Sequence, residues 1–137
     1  CLLRRGRTAH CKPGDVGIIL MTKKFDSIGY WYLASPYSKY PKGLEAAFIE
    51  VSKAASQLIK QGVLIYCPIS HSHPIAIHGK IDPTDHGIWL AADKPFMDGA
   101  GGLIVLKMDT WEESYGIGVE LETFKAAGKP IQYMEWP

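Results

Sequence analysis

The stretch GLEAAFIEVSKAASQLIKQGVLIYC, residues 43–67, decides the fold. Its apolar positions Leu44, Ala47, Phe48, Val51, Ala55, Leu58 and Ile59 recur at steps of three and four, which predicts an amphipathic helix over 43–61 that Gly62 stops. VLIYC, residues 63–67, follows at once as an unbroken apolar run, the pattern of a strand covered on both faces. A helix delivered directly into such a strand is half of a parallel α/β repeat.

The flanks continue the pattern. Upstream, YWYLAS (30–35) reads as a buried strand ended by Pro36. Downstream, GGLIVLK (101–107) is a third buried strand, and 114–127 is a helix ended by Gly128. Pro130 then admits a last strand, IQYM (131–134). Between these lies PISHSHPIAIHGKIDPTDHG (68–87), rich in Pro and His and without periodicity, expected as a loop acting as a lid or mobile segment. Ile88–Leu90 and Phe96–Met97 suggest helical pieces interrupted at Pro95. The alternation predicts an α/β fold, a three-layer Rossmann or flavodoxin-like sandwich whose parallel sheet has four or five strands in the order 2-1-3-4(-5).

Composition bounds the function. With 47% hydrophobic and 21% charged residues, residues 21–137 fit one globular domain, and residues 1–20 are expected to be an extension preceding a start at Met21. Fifteen basic against 14 acidic residues, with no dense basic block outside the extreme N-terminus, disfavour a nucleic acid polymer as partner. Cys1, Cys11 and Cys67 show no C-x-x-C spacing, which suggests neither a disulfide framework nor a cysteine zinc site and points to the cytoplasm. No apolar run is long enough to span a bilayer, and no membrane partner is expected.

In open parallel sheets ligands sit beyond the carboxyl ends of the strands, where strand order reverses. With order 2-1-3-4 the loops meeting there are SPYSKYPK (35–42) and MDTWEESYG (108–116). Ser114, Gly116 and Gly118 lead into the last helix, where backbone N–H groups approach a ligand and the helix dipole favours negative charge. Glu120, read as a first-turn acid, is expected to stay ionised there and to serve as a nucleophile or a stabiliser of positive charge. Glu122 faces elsewhere and reads as solvated. Asp93, in the segment before the third strand, could pair with Glu120; two carboxylates at one sugar are what glycosyl chemistry uses. Asp98 reads as a surface residue.

His71, His73, His78 and His86, with Asp85, raise a zinc site, but no fourth ligand is convincingly spaced, and a polar lid explains the same composition. Neither a metal nor an organic cofactor is expected. Of the aromatics, Trp111 and Tyr115 flank the site, whereas Trp89 and Trp136 read as core or interface.

The segments YWYLASPYS, AADKPFMDGAGGLIVL and SYGIGVELETFKAAGKPI, in this order and spacing, resemble the nucleoside 2-deoxyribosyltransferase superfamily, which includes the deoxynucleoside-monophosphate N-glycosidases. More narrowly they resemble a small domain-of-unknown-function branch of it. The resemblance spans roughly residues 30–134. It implies that Glu120 is the nucleophile and that Asp93 contacts the sugar and assists the leaving base. It further implies that Ser114, with Gly116 and Gly118, helps hold a 5′-phosphate, and that Tyr32 or Tyr30 is the strand-one aromatic. The Arg that often follows the Ser of the first strand in nucleotide-cleaving members is absent: Ser35 is followed by Pro36, Tyr37, Ser38 and Lys39. Ser35 and Lys39 are then the expected contacts to a 5′ group, with a monophosphate favoured by only about 1 to 2 kcal/mol.

The activity these features predict is cleavage or transfer at the N-glycosidic bond of a (deoxy)nucleoside or its 5′-monophosphate, through a covalent glycosyl-enzyme. The alternative is a sensor that binds a nucleotide or an ADP-ribose-like ligand without cleaving it. A homo-oligomer, dimer or tetramer, is expected, and the resemblance implies that one subunit closes its neighbour's site.

Overall fold

The computed structural model describes residues 29–137. The expected extension at 1–20 and start at Met21, with Cys1 and Cys11, lie outside the described residues.

Four strands, β1 (Trp31–Ala34), β2 (Ile65–Tyr66), β3 (Gly102–Lys107) and β4 (Ile131–Glu135), form one parallel sheet in the order β2-β1-β3-β4. β1 pairs along its whole length with β3, from Trp31 opposite Gly102 to Ala34 opposite Val105. The helices are α1 (Leu44–Lys60), α2 (Pro68–Gly79), α3 (His86–Gly99) and α4 (Tyr115–Ala126), with a 3-10 turn at Trp111–Glu113 before α4.

Alternation along the central strands divides the core into two layers. Trp31 and Leu33 of β1 join Ile104 and Leu106 of β3 on one face, under Ala47, Val51, Ala54 and Leu58 of α1. Tyr32 and Ala34 join Leu103 and Val105 on the other, under Met97 of α3 and Ile117 and Phe124 of α4. Each large side chain so enclosed contributes roughly 1.5–3 kcal/mol of hydrophobic stabilisation. Gly62 ends α1 at φ 83°, in the left-handed region that glycine enters without strain. Ile59 departs from the expected apolar stripe: it is 61% exposed, because it lies beyond the face that Val51, Ala55 and Leu58 turn to the sheet.

Two expectations are overturned in the central segment. Residues 68–79 are helix α2, not a loop. Pro68 occupies the first helical turn, where its missing N–H would have no partner anyway. The inward face is filled by Ser72, His73 and Ala76, polar and small residues that leave no hydrophobic periodicity to detect. Likewise α3 runs unbroken through Pro95, an exposed position where the ring can be accommodated. Asp85 starts α3 as its N-cap, its carboxylate accepting a hydrogen bond from the Ile88 amide at 3.3 Å.

Candidate functional site

The carboxyl ends of β1 and β3 open into a pocket walled by the loop after β1, the start of α2, the face of α3 and the first turns of α4. Ser35, Tyr37 and Ser38 come from the first, Pro68, Ile69 and Ser72 from the second. α3 supplies His86, Trp89, Leu90 and Asp93; α4 and its cap supply Ser114, Gly116 and Glu120. Pro83 and Thr84 complete the rim.

Glu120 is the buried acid of this pocket, only 6% exposed. It stands in the second turn of α4 rather than the first, since Ser114 is the N-cap and Tyr115 the first helical residue. Helical side chains lean toward the N-terminus, so its carboxylate lies back over Gly116, where a Cβ would sit 3.7 Å from Oε1. The expectation that it stays ionised is not met: burial strips water from the carboxylate and pushes its pKa up to about 8. A hydrogen bond from the Tyr32 hydroxyl opposes that rise, and the nearby charge of Asp93 reinforces it.

Asp93, on α3, is half-buried, and loss of solvation raises its pKa to about 6. His71 and a hydrogen bond from the same Tyr32 hydroxyl pull it back down. Tyr32, 1% exposed on β1, therefore joins the two acids. Burial raises the Tyr32 pKa far above the phenol range, so its O–H remains a donor at every physiological pH. Of the two tyrosines at the start of the first strand, Tyr32 is the one next to the acids, while the Tyr30 hydroxyl donates to the Phe96 carbonyl at 2.7 Å.

The other expected residues divide. Ser35 is in the wall, 6% exposed, and its Oγ has no hydrogen-bond partner among the described residues. Ser114 lines the pocket while its Oγ accepts from the Ile117 amide at 3.3 Å. Gly116 lines it too, whereas Gly118 is exposed on another side of α4. Lys39 is not in the wall: its ammonium donates to the Glu113 carbonyl at 3.1 Å, tying the loop after β1 to the turn before α4. Glu122 is exposed, and Asp98 is an exposed partner of Lys94 at 3.0 Å.

The histidines do not converge. His73 is buried between Glu45 and Tyr37, His71 lies against Tyr66 and Phe96, and His86 packs on Tyr115 with ring centroids 4.6 Å apart. No group of three or more potential metal ligands occurs among the described residues. Trp89, read as core or interface, instead lines the pocket, its indole N–H donating to the Asp82 carbonyl at 2.9 Å. Trp111, expected to flank the site, packs against Tyr133 and Lys107. Sequence reasoning missed the Glu45–His73–Tyr37 chain altogether; the only signal was Pro68, a helix-starting residue directly after a strand.

The family profile described as a domain of unknown function (DUF1937) matches residues 29–136. No curated protein matches the chain. No helix of the described residues is long and apolar enough to cross a membrane.

Proposed function

The chain belongs to the DUF1937 family, and we propose that it cleaves or transfers at the N-glycosidic bond of a (deoxy)nucleoside or nucleoside 5′-monophosphate, with Glu120 as nucleophile and Asp93 as proton carrier. The observation that supports this most is the pair of acids joined through the Tyr32 hydroxyl in one pocket, both with pKa values raised by burial. The resemblance of the same residues to the deoxyribosyltransferase pattern points the same way.

Between about pH 6 and 8 the pair holds a single proton. When that proton sits on Asp93, the Glu120 carboxylate attacks C1′. The C1′–N bond breaks with its electron pair going to the base, and Asp93 gives the base its proton. The resulting glycosyl ester on Glu120 is opened by water, which returns a proton to Asp93 and frees the sugar, or by a second base, which takes the sugar. Tyr32 donates to whichever carboxylate bears the charge, and so keeps both oriented.

Below about 6 both acids are protonated and no nucleophile exists; above about 8 both are ionised and no proton is at hand. The expected kcat/KM profile is therefore a bell with limbs near those values. A rate that keeps climbing past pH 9 would contradict a shared proton.

Among the described residues the wall contains no lysine or arginine, so recognition of the ligand falls to hydroxyls, the His86 ring and backbone N–H groups. A nucleoside and its 5′-monophosphate are expected to differ in kcat/KM by about tenfold or less, the scale of one or two hydrogen bonds in a partly wet site. Incubating purified protein with a panel of nucleosides and 5′-monophosphates and assaying free base tests the reading. Binding without base release would favour the sensor alternative.

A further inference from the structure

One polar array, centred on a buried imidazole, takes no part in the chemistry above. Glu45 of α1 reaches with Oε2 to within 2.7 Å of Nε2 of His73, which is 3% exposed on α2. The other ring nitrogen, Nδ1, is hydrogen-bonded to the hydroxyl of Tyr37, a residue of the pocket wall. His73 is held flat on Phe48, centroids 4.6 Å apart at 23°, and Tyr37 meets it edge-on at 89°. Two ring contacts and two hydrogen bonds on a buried imidazole leave it one orientation.

With Oε2 of Glu45 as acceptor, Nε2 carries a ring hydrogen and donates it. When the ring carries one proton, Nδ1 is an acceptor and the Tyr37 O–H donates to it, which leaves Tyr37 only oxygen lone pairs for a further partner; when it carries two, Nδ1 donates and the Tyr37 O–H is released. Burial pushes the phenol up to about 12, which keeps that O–H in place across the physiological range.

From this geometry we infer that Tyr37 is a specificity-determining residue of the pocket, fixed by Glu45 and His73 as a hydrogen-bond acceptor that selects ligands presenting an O–H or N–H donor to that wall. His73 and Glu45 are positioning residues, since neither lines the pocket. A tyrosine free to rotate its hydroxyl would accept or donate with equal ease; this one is committed as long as His73 carries a single ring proton. On a nucleoside the donor is a sugar hydroxyl or an exocyclic amino group, and the choice of nucleosides as probes rests on the function proposed above.

The experiment measures dissociation constants by calorimetry for 2′-deoxyadenosine and three analogues, each lacking one donor: 2′,3′-dideoxyadenosine, 2′,5′-dideoxyadenosine and purine 2′-deoxyriboside. Wild type, Tyr37→Phe and Glu45→Ala are compared. In the wild type, loss of the donor that faces Tyr37 is expected to weaken binding about tenfold, the worth of one hydrogen bond. Tyr37→Phe erases that difference while leaving the penalties of the other two analogues unchanged, which identifies whether sugar or base supplies the donor. Glu45→Ala, a change at a mostly solvent-facing side chain that removes the acceptor of the Nε2–H, reduces the same difference without altering the melting temperature by more than a few degrees. Nitrogen-15 shifts of His73 should report the Nε2–H tautomer in the wild type.

Equal penalties in wild type and Tyr37→Phe, or an Nδ1–H tautomer, overturn the inference; so does failure of all four nucleosides to bind. The discrimination pattern without base release would leave Tyr37 standing and remove the glycosidase reading. Base release without the pattern would do the reverse.

Discussion

Glu120→Gln should abolish base release, lowering kcat by about a thousandfold or more, because an amide cannot form the glycosyl ester and the remaining wall only binds and orients. Glutamine is the instructive replacement. Glu120 fills enclosed space at 6% exposure, so truncation to alanine would open a cavity and confuse lost chemistry with lost packing. The same variant should change stability in the opposite sense. Burial raises the Glu120 pKa above its ordinary value of 4.5, so its contribution to stability is complete below that value and is lost as pH rises through about 8. The amide escapes this loss. Its advantage in melting free energy should therefore grow from about pH 5 to 8 and level off on the order of 4 kcal/mol above it. Wild-type base release by the variant would eliminate Glu120 as nucleophile, and a stability difference independent of pH would contradict its burial as a neutral acid.

The largest effect on folding is expected at Gly102, which opens β3 directly opposite Trp31 of β1. A Cβ there would lie 2.5 Å from Cζ3 of Trp31 and 2.8 Å from Cε3 and Cη2. Trp31 is 1% exposed and enclosed by the α1 layer, so its indole cannot swing aside as a surface side chain would. Gly102→Ala should cost about 2 to 3 kcal/mol and lower the melting temperature by roughly 10 °C. The control is Gly118→Ala, where nothing lies within 4 Å of a new Cβ and a helical position gains propensity. Equal melting temperatures for Gly102→Ala and wild type would mean that the central strands yield where they are expected to be rigid.

The difference between what the sequence discloses and what it hides follows from which side chains face inward. The sheet order and α1 were legible because Val51, Leu58, Leu33 and Ile104 are apolar and periodic. α2 was not, because the residues it turns inward include Ser72 and His73, whose burial depends on partners from distant parts of the chain. Pro95 misled in the opposite direction: a local rule favoured a break, and tertiary packing of Met97 and Asp93 on either side sustains the helix. At the site, Glu120 and Asp93 line one pocket, but their electrostatics were not readable in the sequence. The first-turn dipole argument assigned a charge that burial opposes, and burial is a property of the fold. Lys39 could be located in its loop, yet not its bond to the Glu113 carbonyl.

The pairing of β1 with β3 has a kinetic corollary. The two strands are not consecutive in sequence, so the central ladder forms only after the chain has closed around α1, β2, α2 and α3, an entropic debt incurred before any contact rewards it. Tyr32 rides on β1, Asp93 on the helix that leads into β3 and Glu120 on the helix that leaves it. The two acids and their shared hydroxyl therefore come together in the same late step that completes the sheet, and a nascent chain released before β3 has emerged contains no part of the Glu120 half of the site. Competence for chemistry is in this sense a reporter of complete folding: no partly assembled form of the domain can hold the pair.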